Sequence, residues 1–208
     1  MDIRFLHTSP ANEKLFRQLI GTSLHSSNVT HFVREGFLLR AQAGNEMPAL
    51  TSEIKAFIVN EINDGADLIV CTCSTLGTIA ESTAPNVLRV DRPMAANAAK
   101  HNRLLIVAAV ESTLVPTRSL IEDETQKAGT DPELEILLVE NAWQHFLDGN
   151  HTEYYNKIAG AVNSYEGDVD AILLAQASMY GATHLIRTGK PVLNSPDAFI
   201  AHLNQLGI

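Results

Sequence analysis

The sequence predicts an α/β protein of two pseudo-symmetric parallel-sheet (Rossmann-like) βα domains, with a small-molecule site expected in the cleft between them. Three observations carry this. Short β-rich apolar runs alternate with longer amphipathic stretches, the signature of βα units. The pattern then repeats at a nearly constant offset. Finally, the residues that close each strand are polar or reactive, which is where open parallel sheets bind ligands.

The strands are expected at Ile3–Thr8, Asn28–Val33, Asp67–Thr72, Val87–Val90, Leu104–Ala109, Glu135–Val139, Ala171–Ala175 and Pro191–Leu193. The best helical pattern runs from about Leu50 to Asn63. There Leu50, Ile54, Phe57, Ile58 and Ile62 share one face, and Gly65 stands just past the end as a stop. Two further helices are expected after Thr113 and after His151.

The repeat is visible in residues. Asp67-Leu-Ile-Val-Cys-Thr-Cys73-Ser-Thr75 aligns with Asp170-Ala-Ile-Leu-Leu-Ala-Gln176-Ala-Ser178 at an offset of 103. Val87-Leu88 followed by Arg92-Pro93 parallels Val192-Leu193 followed by Ser195-Pro196, at offsets of 105 and 103. Ile3–His7 parallels Leu105–Ala109 at an offset of 102. Three alignments in one order point to duplication of a four-stranded half. The halves are placed at residues 1–97 and 98–208, with the C-terminal helix a candidate to complete the first.

Bulk properties exclude several classes. The net charge is −9, from 15 basic and 24 acidic residues, with no Lys/Arg cluster to suit nucleic acid or an anionic membrane. Hydrophobic residues make up 45% and aromatics 6%, and no apolar run approaches the roughly 18 residues of a membrane span. The N-terminus reads at once as a strand and not as a signal peptide, so a cytoplasmic protein is expected. Cys71 and Cys73 are the only cysteines. A bridge between them would be strained, and a lone C-x-C is weak evidence for zinc, so free thiols and no metal are expected. Phosphate-loop, dinucleotide, H-E-x-x-H and G-x-S-x-G motifs are absent from the sequence, and no cofactor is expected.

The strand ends are His7-Thr8-Ser9, Cys73-Ser74-Thr75, Asp91-Arg92, Glu111-Ser112-Thr113, Gln176-Ala177-Ser178 and Asn194-Ser195. Any one Ser or Thr here could simply cap a helix. Six such ends in two matched halves favour a site, and helix N-termini offer N–H groups to a carboxylate. Cys73 stands out because a helix N-terminus at the strand-to-helix turn should lower its thiol pKa. Cys71, deeper on the same strand face, is expected to be an inert packing residue.

Val70-Cys71-Thr72-Cys73-Ser74-Thr75 resembles the first cysteine motif of the aspartate/glutamate/hydantoin racemase superfamily. Ala108-Ala109-Val110-Glu111-Ser112-Thr113 is similar to the turn that opens that family's second domain. The resemblance implies cofactor-independent proton transfer at the carbon α to a carboxylate, two thiols flanking that carbon, and a homodimer. Cys73 holds the position of the first thiol. Gln176 holds that of the second, and an amide cannot serve as an acid or base of useful pKa.

Three readings remain open. In the first, the chain is a racemase or isomerase of a small acid, with Cys73 as one base and His7 or water supplying the other proton. In the second, the same thiol protonates the carbanion left when a malonate-type acid loses CO₂. In the third, the protein only binds a small carboxylate. In all three, N–H groups near Ser74, Thr75, Ser112, Thr113, Ala177 and Ser178 are expected to hold acid oxygens, with Thr8, Ser9, Arg92, Glu111 and Gln176 as further contacts.

Overall fold

A computed structural model describes residues 1–21, 27–44 and 46–207. The chain divides into two compact units, Met1–Arg92 with Phe199–Ile208, and Pro93–Ala198. Each unit holds a four-stranded, all-parallel sheet.

The first unit runs β1 (Asp2–His7), α1 (Pro10–Ile20), β2 (Asn28–Val33), α2 (Glu35–Ala43), α3 (Met47–Asn63), β3 (Leu68–Cys71), α4 (Ser74–Glu81) and β4 (Val87–Arg89), in sheet order β2-β1-β3-β4. β1 is buried at nearly every position because both its faces are covered. Phe5 packs against Phe16 of α1 and edge-on against Phe199, at ring separations of 6.0 and 6.3 Å. Leu6 points the other way, into a core with Leu50, Ile54 and Ile58 of α3, Ile69 and Cys71 of β3, and Leu76 of α4. The stripe read from the sequence is therefore the buried face of α3, with Phe57 and Ile62 at its margin. Gly65, at φ 99°, makes the turn after α3 in a conformation that disfavours side chains.

The second unit follows the same plan with α5 (Arg92–Ala98), β5 (Arg103–Ala108), α6 (Leu114–Ala128), β6 (Glu133–Leu138), α7 (Ala142–Leu147), α8 (His151–Asn163), β7 (Ala171–Leu174) and β8 (Val192–Asn194). Its order is β6-β5-β7-β8. Its core joins Met94 and Ala98 of α5, Leu104 and Ile106 of β5, Leu120 and Ile121 of α6, and Leu173 of β7. Helix α9 (Ser195–Leu206) carries the chain from this unit back into the first, beginning at Phe199. After β7 the unit departs from the first: an eight-residue 3₁₀ segment, Ala177–His184, stands where the first has the α-helix α4.

The duplication extends to single hydrogen bonds. The Asp67 carboxylate accepts from the backbone N–H of Asp2 at 2.7 Å, and Asp170 accepts from that of Arg103 at 3.0 Å. All eight expected strands are present, with ends moved by at most two residues. One alignment needs correction. Ile3 lies opposite Leu68 and Leu104 lies opposite Ala171, so β1 and β5 correspond at an offset of 101 and not 102. A strand buried on both faces lacks the polar alternation that would fix its register in the sequence, so a one-residue slip is invisible there.

Candidate active site

The first unit gathers its chemistry where β1, β3 and β4 end. Leu6 is opposite Cys71, and Cys71 is opposite Arg89. Two residues further along each strand, on the same face, the register brings Thr8, Cys73 and Asp91 into one row. Cys73 is extended (φ −102°, ψ 113°) and caps α4. It is buried, with only 7% of its surface exposed. It makes no side-chain capping hydrogen bond to α4, and the Thr8 side chain and the backbone N–H groups of Leu76 and Thr75 act on its sulfur to favour the thiolate.

The electrostatic balance at Cys73 runs against the sequence expectation. Burial outweighs these influences and raises the thiol above its ordinary range, with the Asp91 charge adding to the rise. Desolvation disfavours the charged form throughout, whereas a helix N-terminus acts only through its first turn. Cys71 is buried more deeply and is also raised, chiefly by desolvation, and its thiol donates to the Cys73 carbonyl at 3.7 Å. Both thiols are free, as expected.

His7 faces the opposite side of the sheet from Cys73 and is fully buried. Its Nδ1 lies 2.9 Å from Thr72 Oγ1 and its Nε2 lies 2.8 Å from His31 Nδ1. The Thr72 hydroxyl donates to the Leu6 carbonyl at 3.4 Å. That leaves the Thr72 oxygen to accept from His7 Nδ1–H, and His7 Nε2 to accept from His31. The two rings stack 5.1 Å apart, beside Phe5 and Phe16. Burial, with the neighbouring His31 and Arg17, pushes the His7 pKa down to about 3. These contacts make His7 part of a packed ring cluster, in contrast to the proton donor expected from the sequence.

The other first-unit residues are also placed by the fold. Ser9 caps α1, its hydroxyl accepting from the Ala11 N–H at 3.2 Å. Ser74 is buried and Thr75 half-buried at the start of α4. Arg92, expected as a charge for a substrate, instead pairs through two nitrogens with the Glu81 carboxylate.

In the second unit, Glu111, Ser112 and Thr113 form a 3₁₀ turn after β5. Glu111 is exposed, Thr113 is buried, and the buried Ser112 hydroxyl meets no partner among the described residues. Gln176, Ala177 and Ser178 follow β7 and are buried. The Gln176 side-chain carbonyl accepts from the Ala109 backbone N–H at 2.8 Å. The Ser178 hydroxyl lies 2.9 Å from the Tyr154 hydroxyl.

Four residues escaped the sequence reading. Arg89 holds the Asp91 carboxylate in a two-point ion pair, His31 completes the ring network, and Tyr154 anchors Ser178. Arg34, just past β2, lies over the Phe32 and Phe57 rings at 5.7 and 5.0 Å. Its place after a strand was the one available signal; the other three depend on contacts between distant segments.

Two duplicated parallel βα units, with a buried cysteine capping the helix after the third strand, define a class of α/β protein. No family model matches the chain, and no curated protein matches it. Among solved structures it is similar to the aspartate racemase of Picrophilus torridus, at 16% identity and a TM-score of 0.75, covering 99% of this chain and 94% of that one. It is also similar to the glutamate racemase of Thermus thermophilus (14% identity, TM-score 0.69, covering 99% and 79%). A third is the allantoin racemase of Klebsiella pneumoniae (17% identity, TM-score 0.59, covering 100% and 89%). The chain has the fold of these racemases.

Proposed function

We propose that this chain is a cofactor-independent enzyme of racemase or isomerase type, moving a proton at the carbon α to the carboxylate of a small acid, with Cys73 as the transferring group. The observation that carries the reading is the setting of Cys73. Cys73 stands at the N-cap position of α4, at the end of a parallel strand, where the Thr8 side chain and two backbone N–H groups act on its sulfur. Those donors favour the thiolate, which is the form that removes a proton. The proton passes from carbon to sulfur, and the electron pair left behind delocalises into the carboxylate as an enediolate. Return of a proton from sulfur or water completes the turnover. Gln176 stands at the corresponding strand end of the second unit and offers hydrogen bonds but no titratable proton. The chemistry is therefore assigned to one thiol.

A second reading has its own support. Burial holds Cys73 largely as the neutral thiol, the state required of an acid that protonates a carbanion. In a malonate-type acid the bond to one carboxyl would break, CO₂ would leave, and the thiol proton would take its place on carbon. Water then reprotonates the thiolate.

Proton NMR in D₂O with α-amino, α-hydroxy and malonic acids tests both. Loss of the α-proton signal without loss of carbon supports isomerisation, and release of CO₂ supports decarboxylation. Both activities should disappear in Cys73→Ser, whose hydroxyl is too weak an acid to replace a thiolate near neutral pH. Silence across a broad panel would leave a carboxylate-binding role.

A further inference from the structure

We propose that Arg89 and Asp91 are positioning residues for Cys73, a buried pair that seats the turn carrying the thiol and sets the charge beside it. The proposal rests on the reading of Cys73 as the reactive group. Arg89 Nε lies 2.7 Å from Asp91 Oδ1 and Nη2 lies 2.9 Å from Oδ2, with both side chains 2% exposed. The same guanidinium reaches α4, where Nη1 donates to Thr78 Oγ1 at 3.0 Å. It lies flat against the helix at Gly77, where a Cβ would fall 2.6 Å from Arg89 Nε and 2.7 Å from Cζ. A glycine is therefore required for this approach. The pair thus ties β4 to the first turns of the helix that Cys73 caps.

Register makes the tie electrostatic as well as steric. Cys73 and Asp91 are neighbours in the row that continues from Cys71 opposite Arg89, and the Val90 N–H donates to the Cys71 carbonyl at 2.9 Å. The charges facing the sulfur from the packed elements are Asp91 and, behind it, Arg89. Glu81 of α4 lies beyond Arg89, β1 contributes only the neutral Thr8, and Cys71 is protonated. A buried ion pair adds little stability over apolar groups of equal volume. Its distinctive effect here is to place a carboxylate next to a thiol while cancelling most of that charge with a guanidinium.

The test is the pH dependence of iodoacetamide alkylation at Cys73, followed by peptide mass spectrometry. Asp91→Asn leaves the guanidinium uncompensated and should lower the alkylation midpoint by about one pH unit. Arg89→Gln leaves the carboxylate uncompensated and should raise it by about the same amount. The double variant Arg89→Met/Asp91→Leu gives the charge-free reference and should fall between them. Gly77→Ala keeps both charges but displaces the guanidinium, and should raise the midpoint; it decides the matter if a single charge variant does not fold. Opposite shifts in the two single variants, or the rise in Gly77→Ala, support the pair as a device acting on the thiol. Shifts in the same direction, or an unmoved midpoint in folded variants, overturn it and leave an ordinary structural ion pair. The measurement needs no substrate, so its outcome is separate from whether any acid is turned over.

Discussion

The side-chain carbonyl of Gln176 accepts a hydrogen bond from the backbone N–H of Ala109 at 2.8 Å, and this pair is the second unit's counterpart of Cys73 and Thr8. In the first unit the Thr8 side chain acts on the Cys73 sulfur to favour the thiolate; in the second an N–H donates to an amide oxygen. Among the described residues no acceptor is bonded to the Gln176 amide nitrogen, which leaves it as a donor. Gln176→Ala should remove the partner of a buried N–H and cost about 1–3 kcal/mol, read as a lower urea midpoint with unchanged m. A variant as stable as the parent would show that Ala109 finds another acceptor.

The two thiols should separate in labelling. Cys73 reacts first because Thr8 and two N–H groups favour its thiolate and it is 7% exposed, while Cys71 is 1% exposed and raised chiefly by burial. Because burial raises Cys73 as well, its alkylation should accelerate on the alkaline side of neutrality and not below it. Thr8→Val, which keeps the shape and removes the donor, should move that acceleration to still higher pH. Labelling of Cys71 before Cys73 in the folded protein would contradict the assignment.

The His7–His31 stack should make the first unit acid-sensitive. Burial first, then the charges of His31 and Arg17, lowers His7 from 6.5 to about 3; burial and Arg17 lower His31 to about 4, with Glu13 opposing. In the unfolded chain both titrate near 6.5, so the folded state binds fewer protons below that value. The stabilisation is therefore fully present above pH 6.5 and is lost as the pH falls towards 4. His7 alone should lose on the order of 3 kcal/mol by pH 4, with the half-exposed His31 adding less than its shift implies. Urea midpoints measured across this range should fall with acidification, and His31→Phe should flatten the slope. A midpoint that stays level to pH 4 in the parent would show the rings accept protons without disturbing the stack.

Helix α9 should be required by the first unit. Phe199 is fully buried, edge-on to Phe5 and 6.5 Å from Phe16. Phe199→Ala should cost about 3–5 kcal/mol, as for other large-to-small changes at filled aromatic positions. Thermal unfolding followed by circular dichroism would read this as a lower Tm.

The sequence by itself determined the number of strands, their order along the chain, the duplication and the prominence of Cys73 and Gln176. These are local or periodic properties. Apolar runs, turn residues and an offset near 103 can be read without knowing what packs on what. Tertiary structure alone decided how those residues behave. The slip between β1 and β5 was settled only by their pairing with β3 and β7, because uniformly buried strands carry no alternating signal. The protonation preference of Cys73 was settled by desolvation, a sum over neighbours that nearby sequence does not contain. His7 engages both ring nitrogens with Thr72 and His31, 65 and 24 residues away, and Arg92 pairs with Glu81 across β4. Short-range pattern specifies which elements form and which polar groups reach the strand ends; only long-range contacts determine which of those groups keep a free proton, a free charge or an unfilled hydrogen bond.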